Sequence, residues 1–510
     1  MKPYDLNTPI LEFASRNQNS VWTVRQAVEG VQIFGGIGSG KTSGSGRKLA
    51  LKYLIAGFGG LVLTAKPDEK RLWKEYCSLT GRSADLLVIE PGGRHSFDFL
   101  NYISSRDGAA NPITDNIVDV LKTVIRASQT ISSGKSDDAF WETALDMLIF
   151  NVIDLCQLAY GKVSFQLMYE IVLSIPKTGD DNQEETILPD QSLSEQIFNG
   201  YRVALEKAKN NVLEQINQWK SSFSAEEVDM IWERPDFDSL LTTAVPDVRL
   251  YGFVEQFFND TFIPLSEKTR SIIDFSFTGF LFRMLREPIH SMFCSRESTV
   301  TPEDSLTGKI ILLNLPVKTY QKIGRDCQIM FKYIWQQAME KRNIVENELP
   351  VFLWADEAQS FLHEHDADFQ ATARSSRIAT VYISQNLPNY HACMGGEKSE
   401  YKVKSFLGTL ATKIFHANAD IDTNRYASEL IGDTYFEDQS ESVTISKDFS
   451  QTRGKSFKLE RAVRPEAFVS LRTGGPANNF GTEAYLHRQG DTIANGQNYA
   501  KMNFSQLYNP

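Results

Sequence analysis

The sequence lacks paired cysteines and long apolar runs. Its five cysteines form no CxxC pair, which argues against a disulfide framework and against a thiolate zinc site. No uninterrupted apolar run reaches the ~18 residues that a membrane span needs, and Met1–Arg16 lacks the apolar core of a secretory signal. The most apolar stretch, Ala144–Tyr160, carries Asp146 and Asp154 and is interpreted as a buried helix. We therefore expect a cytoplasmic protein with no transmembrane segment in this chain, which leaves docking to a membrane partner open.

The sequence also lacks an excess of basic residues. Lys and Arg total 53 against 64 Asp and Glu, so the formal net charge is -11. This disfavours a generally basic nucleic-acid coat or membrane-surface binder, although a local basic channel stays open. The 510 residues are 42% hydrophobic and 23% charged, which is typical of a folded chain with two or three cooperating units.

Short apolar segments that alternate with helix-like segments dominate both ends of the chain. Near the start, strands are predicted at Gly30–Phe34, Leu61–Ala65 and Leu86–Ile89, with a helix over Ser43–Ala56. This βαβ pattern predicts a mainly parallel sheet. Strands resume late in the chain at Lys309–Leu315, Val351–Ala355, Thr380–Ser384 and Ala411–His416.

Helix-like segments fill the middle of the chain. We therefore predict an α/β nucleotide-binding domain in two parts, residues 1–109 and 301–510, interrupted by a large, mainly helical insertion over residues 110–300. The polar stretch Tyr435–Phe457 predicts an exposed β-ribbon or loop, and the tail beyond Asn478 is predicted to be weakly structured.

A glycine-rich loop carries the most specific motif. The segment satisfies GxxxxGK[ST] completely and lies between a predicted strand and a predicted helix, which predicts a P-loop nucleotide-binding domain. In such a loop Lys41 reaches the β/γ oxygens of ATP and the Thr42 hydroxyl ligates Mg²⁺. A chance glycine-rich turn is the alternative, and the flanking elements argue against it. The predicted nucleotide-binding residues are Gly35, Gly36, Ile37, Gly38, Ser39, Gly40, Lys41, Thr42 and Ser43.

Two acids follow the predicted strand Val351–Ala355. Asp356 is predicted to hold the Mg²⁺ and Glu357 to polarise the attacking water, because a hydrolysing P-loop needs both groups at a neighbouring strand end. The alternative is an ordinary helix N-terminus, where acids suit the helix dipole.

Polar and basic groups flank the next strand. Gln385 follows it and is predicted to sense the γ-phosphate; its alternative role is to cap a turn. Arg374 precedes it and is predicted to act in trans on the triphosphate of an adjacent subunit. Arg377 is the alternative to Arg374, and both could instead be solvent-facing residues at a helix end.

The turn Lys66–Glu69 follows the second predicted strand. It therefore lies at the same carboxyl edge of the sheet as the P-loop. The sequence leaves two interpretations open for this turn: support for the nucleotide site, or a plain turn.

Taken in order, the P-loop, the Asp356–Glu357 strand and the Gln385 strand resemble the type IV secretion coupling proteins of the TraG/TraD kind, relatives of the FtsK/HerA DNA-pumping ATPases. The resemblance covers most of the chain. It extends to Leu61–Glu69, Ala371–Arg377, Asn418–Thr423, Glu429–Gly432 and Arg464–Glu466.

This resemblance implies a RecA-like P-loop domain and an ATP- and Mg²⁺-dependent DNA translocase that forms a homo-hexamer around a central DNA channel. It also implies a helical insertion that receives a relaxase or other substrate protein, and delivery to a membrane-anchored secretion channel. Family members commonly begin with a membrane hairpin, whereas this P-loop starts after 34 residues. Two alternatives are a cytosolic HerA-like DNA-processing or defence ATPase and a nucleotide-controlled recruitment platform.

Overall fold

A computed structural model describes residues 5–15, 18–106, 113–133, 139–177, 200–232, 234–294, 296–394, 399–445, 449–493 and 496–507. The chain divides into two compact units. One contains residues 1–88, 130–134 and 302–510, and the other contains residues 89–129 and 135–301. The domain boundaries that the sequence suggests at residues 109/110 and 300/301 stay a prediction.

A nine-stranded sheet organises the first unit. Its strands lie in the order β13-β12-β9-β3-β8-β7-β4-β6-β5. The pairs formed among β3, β4, β6, β7, β8 and β9 are parallel, whereas β12 pairs antiparallel with both β9 and β13. The strands are β3 Val31–Phe34, β4 Gly59–Leu63, β5 Leu86–Ile89, β6 Ile310–Leu313, β7 Val351–Asp356, β8 Ile378–Ser384, β9 Thr412–His416, β12 Gly481–Arg488 and β13 Tyr499–Ser505.

The central strands are buried along their full length, which is why they are continuous apolar runs and not alternating ones. The predicted α/β fold with a mostly parallel sheet is confirmed. The helices of this unit are Val24–Val28, Arg47–Ile55, Glu69–Leu79, Val317–Glu340, Asp366–Ala373, Leu387–Met394, Ser399–Gly408, Ile421–Ile431 and Pro465–Val469.

Two further hairpins complete the unit. Strands β1 (Pro9–Ser15) and β2 (Gln18–Thr23) pair near the start of the chain. The segment predicted as a β-ribbon or loop is a long antiparallel hairpin of β10 (Asp433–Ile445) and β11 (Phe449–Arg461).

The prediction of a weakly structured tail is wrong. Residues after Asn478 form β12 and β13, which extend the main sheet beyond β9. In β13 the buried residues alternate with more exposed ones, because one face of this edge strand packs on the core. The polar alternate residues conceal this strand in the sequence.

The second unit is mainly helical, as predicted. Its two ends lie side by side: the amide of Phe97 donates to the carbonyl of Met292 at 2.9 Å, and the amide of Thr299 donates to the carbonyl of Ser96 at 2.9 Å. Its helices are Phe99–Arg106, Ile113–Ser133, Ala139–Tyr160, Phe165–Leu173, Gly200–Lys220, Ala225–Trp232, Phe237–Ala244, Pro246–Gln256, Glu267–Met284 and Ile289–Phe293.

One helix of this unit contains an 18-residue stretch, Thr143–Tyr160, that is long and apolar enough to cross a membrane by length and composition. Just over half of the stretch, 56%, is buried inside the structure. Burial against neighbouring helices accounts for its apolar character, in agreement with the core helix predicted from the sequence.

Candidate nucleotide-binding site

The predicted site residues meet at the carboxyl edge of the parallel strands. The P-loop follows β3, Lys66 lies three residues beyond β4, Asp356 ends β7, and Gln385 follows β8. Because these strands are parallel neighbours, their carboxyl ends bring side chains from distant parts of the sequence to one place. The side chains line a cavity of about 550 Å³.

The P-loop owes its path to two glycines and to close backbone packing. Gly38 and Gly40 have φ angles of +74° and +84°, which residues with a β-carbon rarely adopt. A β-carbon on Gly40 would lie 2.3 Å from Cγ2 of Thr482. The amide of Gly36 donates to the carbonyl of Ala417 at 2.8 Å, which fixes the loop against the residue that follows β9.

Lys41 begins a π-helical turn, Lys41–Gly46, that leads into the helix Arg47–Ile55. The side chain is buried, with 7% of the residue exposed, and it lines the cavity. Burial lowers the pKa of Lys41, while the nearby carboxylates of Asp356 and Glu357 oppose that shift. A buried ammonium group at a helix N-terminus is suited to binding phosphate oxygens.

Thr42 and Asp356 form a pair of oxygen donors. The Thr42 hydroxyl donates to Oδ2 of Asp356 at 2.9 Å, and Asp356 is 3% exposed. Mg²⁺ prefers hard oxygen ligands and commonly takes one or two from the protein and the rest from phosphates and water. Among the residues that the structure describes, no three His, Cys, Asp or Glu side chains cluster as a metal site. The two oxygens therefore fit a Mg²⁺ that is bound together with a nucleotide.

Glu357 has an unusual backbone conformation and a crowded carboxylate. Its φ angle is +52°, a left-handed conformation that is uncommon outside glycine and often found at functional sites. Its carboxylate accepts hydrogen bonds from Gln359 at 2.9 Å and from Gln385 at 3.3 and 3.4 Å. Burial would raise the pKa of Glu357, but the Gln359 hydrogen bond and the charge of Lys66 hold it below its ordinary value.

The turn after β4 contacts this acidic pair directly. The Lys66 ammonium lies 3.0 Å from Oε1 of Glu357 and 3.5 Å from Oδ2 of Asp356. Burial alone would lower the pKa of Lys66, but the two carboxylates outweigh it and raise the pKa. The structure therefore brings this turn into the site, where the sequence left its role open.

Glu69 is a third acid in the wall of the site. One oxygen of its carboxyl accepts the amide protons of Ala65 and Lys66, at 2.7 and 3.3 Å. The other oxygen is buried and has no hydrogen-bond partner among the described residues. Burial, assisted by the charge of Asp356, raises the pKa of Glu69 well above its ordinary value.

Arg374 is not brought to the P-loop of its own chain. It precedes β8, and its guanidinium lies 3.4 Å from the carboxylate of Glu29, which precedes β3. Both residues thus lie at the amino edge of the sheet, whereas the P-loop lies at the carboxyl edge. A seven-residue strand such as β8 spans roughly 23 Å at about 3.3 Å per residue, so Arg374 cannot reach its own nucleotide. Its side chain is 53% exposed.

The C-terminal hairpin contributes contacts that the sequence does not predict. Gln506 donates to the Ser43 hydroxyl at 2.6 Å and accepts the amide proton of Gly475 at 2.7 Å. Arg47 donates to the backbone carbonyl of Gln506 at 2.8 Å. Thr482 of β12 packs against Gly40 and Gly44. The contacts of Gln506 with Ser43 and Arg47, and of Thr482 with Gly40 and Gly44, join residues more than 400 positions apart, so no local sequence pattern predicts them.

His416 at the end of β9 lies beneath the P-loop helix. Its Nε2 lies 2.7 Å from the Ser45 hydroxyl, in a hydrogen bond whose direction depends on the tautomer. Burial lowers the pKa of His416 to about 3, with a further contribution from the charge of Lys41. The imidazole is therefore neutral at physiological pH and packs as part of the P-loop support.

Residues 350–472 match the family model described as the TraM recognition site of TraD and TraG. This segment contains Asp356, Glu357, Arg374 and Gln385. No curated protein sequence matches the chain.

Solved structures of one bacterial protein are similar over nearly the whole chain. The unbound monoclinic form of the conjugative coupling protein TrwBdeltaN70 has a TM-score of 0.59 at 13% identity, covering 98% of this chain and 95% of that one. TrwB with ADP and Mg²⁺ has a TM-score of 0.54 at 12% identity, and TrwB with the ATP analogue ADPNP has 0.54 at 13%. Both cover 98% of this chain and 96% of theirs.

The family model thus agrees with the predicted resemblance to TraG/TraD-like coupling proteins over residues 350–472, and the solved structures share the fold of nearly the whole chain.

Proposed function

We propose that this TraG/TraD-like chain is an ATP-driven DNA translocase that couples conjugative DNA transfer to a type IV secretion channel. The carrying observation is the site geometry: Lys41, the Thr42–Asp356 oxygen pair and the Glu357–Gln385 pair line one cavity at the edge of a RecA-like sheet. The site lies in a fold shared with a conjugative coupling protein, and Glu357 and Gln385 belong to residues 350–472, which match the family model. Both observations support a role in conjugation.

Each side chain has a role that its position supports. The P-loop amides of Gly35–Ser43 and the ammonium of Lys41 bind the phosphates. Thr42 and Asp356 would hold a Mg²⁺, which would supply charge neutralisation at the phosphates of a bound nucleotide. Glu357 accepts a proton from the attacking water, and Gln385, which hydrogen-bonds Glu357, orients that water towards the γ-phosphate.

Arg374 fits a role in trans. It lies at the sheet edge opposite its own P-loop, and its guanidinium is half exposed. In a homo-hexamer with nucleotide at subunit interfaces, the charge of Arg374 or Arg377 offsets transition-state charge in the neighbouring site. DNA passes through the centre of this ring.

Protein partners follow from the family model and the insertion. The matched model describes a TraM recognition site, so we propose that residues 350–472 bind an accessory protein of that kind. The helical insertion receives the relaxase or another substrate protein. The chain works in the cytoplasm and reaches the membrane through a membrane-anchored secretion partner.

Two other functions use the same site. A HerA-like DNA-processing or defence ATPase shares the motor, and a recruitment platform uses nucleotide only to control assembly. The match to a coupling-protein model favours conjugation over both.

Paired substitutions test the site. We expect Lys41→Ala to abolish tight ATP binding, because it removes the buried ammonium that faces the phosphates. We expect Glu357→Gln to keep ATP binding but to lower turnover by about 10² to 10⁴-fold, the range for loss of a general base. Lys74→Ala, at an exposed position on the helix Glu69–Leu79, is the matched control for both measurements. Wild-type turnover in Glu357→Gln contradicts the proposed role of this acid.

A further inference from the structure

Lys66 occupies a position that the proposed mechanism leaves unused. It lies in the turn after β4, next to the strand that carries Asp356 and Glu357. Its ammonium lies within 3.5 Å of both carboxylates, nearer to Glu357, and its side chain is 30% exposed. It lines the same cavity as Lys41 and Gln385.

The ion pair with Lys66 engages the carboxylate of Glu357, which is the group that accepts a proton from water in the proposed mechanism. Oε1 of Glu357 is held by Lys66 at 3.0 Å, and Oε2 is held by Gln359 at 2.9 Å. Gln385 contacts both oxygens at longer distances. The strongest acceptor positions of Glu357 are therefore filled in this arrangement, and an attacking water has to displace one of these donors.

Of these donors, Lys66 is the one that a phosphate attracts most strongly. It is a charged point donor on a flexible four-carbon stem, whereas Gln359 and Gln385 are neutral amides. The terminal phosphate of a nucleoside triphosphate carries more negative charge than the Glu357 carboxylate. Lys66 and Lys41 both line this cavity, so a triphosphate bound there lies in a cavity that both lysines border.

We propose that Lys66 is a second phosphate-binding lysine. Its ammonium breaks the ion pair with Glu357 and binds the terminal phosphate of a nucleoside triphosphate. This inference rests on the proposed function, since it assigns a ligand to the same site. ADP lacks the terminal phosphate, so Lys66 stays on Glu357 when ADP is bound. The carboxylate of Glu357 is thus released only when a nucleoside triphosphate is bound.

Nucleotide affinity tests this assignment without relying on turnover. The dissociation constants of a fluorescent ATP analogue and of fluorescent ADP are measured for the wild type and three variants. The variants are Lys66→Met, Lys66→Arg and the exposed control Lys74→Met. We expect Lys66→Met to weaken binding of the triphosphate by about tenfold or more, as for loss of one charge-assisted hydrogen bond, and to change ADP binding less than twofold. We expect Lys66→Arg to keep part of the preference for the triphosphate over ADP, and Lys74→Met to keep all of it. Intact ADP binding shows that Lys66→Met is folded.

A double variant separates direct sharing from a general charge effect. If Glu357 and the phosphate compete for Lys66, Glu357→Gln tightens triphosphate binding in the wild-type background but not in the Lys66→Met background. A charge effect alone tightens binding equally in both backgrounds, and that result overturns the proposal.

Two failures remain distinguishable. A wild-type protein that binds neither nucleotide contradicts the proposed function and, with it, the role of Lys66. A wild-type protein that prefers the triphosphate, together with Lys66→Met that prefers it to the same degree, contradicts the role of Lys66 alone.

Discussion

Gly40→Ala tests whether the C-terminal hairpin shapes the P-loop. Two costs can be worked out separately. An alanine at φ +84° pays the left-handed backbone penalty, about 1–2 kcal/mol. Its β-carbon also lies 2.3 Å from Cγ2 of Thr482, a fully buried side chain, and overpacking of this kind costs about 1–3 kcal/mol. We therefore expect Gly40→Ala to lower the free energy of opening of the structure around β3 and β12 by about 2–5 kcal/mol.

A matched glycine isolates the backbone part. Gly81 has a φ angle of +71° and nothing within 4 Å of its would-be β-carbon. Gly81→Ala is therefore expected to cost only the backbone penalty of about 1–2 kcal/mol. The difference between the two variants measures the contact with Thr482.

Thr482→Ser supplies the rescue, because it removes the methyl group that collides with the new β-carbon. Alone, it loses about 1 kcal/mol of methyl burial. In the Gly40→Ala background it should instead regain most of the contact cost, a coupling of about 1–3 kcal/mol. Native-state hydrogen exchange of the β3 and β12 amides reports the opening free energies. Purely additive effects of the two substitutions refute the proposed packing of the hairpin on the P-loop.

Three further outcomes are expected. Folding lowers the pKa of His416 to about 3, so below its ordinary pKa of about 6.5 the unfolded chain binds more protons than the folded chain. The free energy of unfolding therefore falls as the pH drops, by about 2 kcal/mol at pH 5. In His416→Asn, thermal unfolding at different pH values should lack this contribution of the imidazole. Arg374→Ala should bind ATP almost normally but hydrolyse it slowly, and mixing it with Lys41→Ala should restore turnover; mixed rings that stay inactive contradict a role in trans. Gln506→Ala removes the bond to the Ser43 hydroxyl and should weaken nucleotide binding by a few-fold in titration, whereas unchanged binding shows that the contact is dispensable.

The sequence predicts the parts of the site that are local. The P-loop is a contiguous motif, and Asp356–Glu357 and Gln385 each follow an apolar run at a strand end, so strand alternation was enough to place them at one edge. The same alternation predicts the mainly parallel sheet and the helical character of the middle of the chain.

Long-range packing is what the sequence does not show. β13 is polar on alternate positions and β12 carries several polar residues, so both resemble a loop-rich tail in the sequence. Their contacts with the P-loop through Thr482 and Gln506 link positions that only the fold brings together. Lys66 is similar: the sequence places it at the correct edge, but only the register of β4 beside β7 puts its ammonium on Glu357.

ATP turnover with and without DNA tests the central claim most directly. Turnover by the wild type and by Glu357→Gln would be titrated with DNA at low and high salt. Because phosphate contacts release counterions and the chain has a net charge of -11, only a local basic lining can bind DNA, so we predict that DNA raises wild-type turnover and that salt strongly weakens this effect. Glu357→Gln should stay inactive throughout. Nucleotide turnover that DNA does not change at any salt concentration would contradict a DNA translocase.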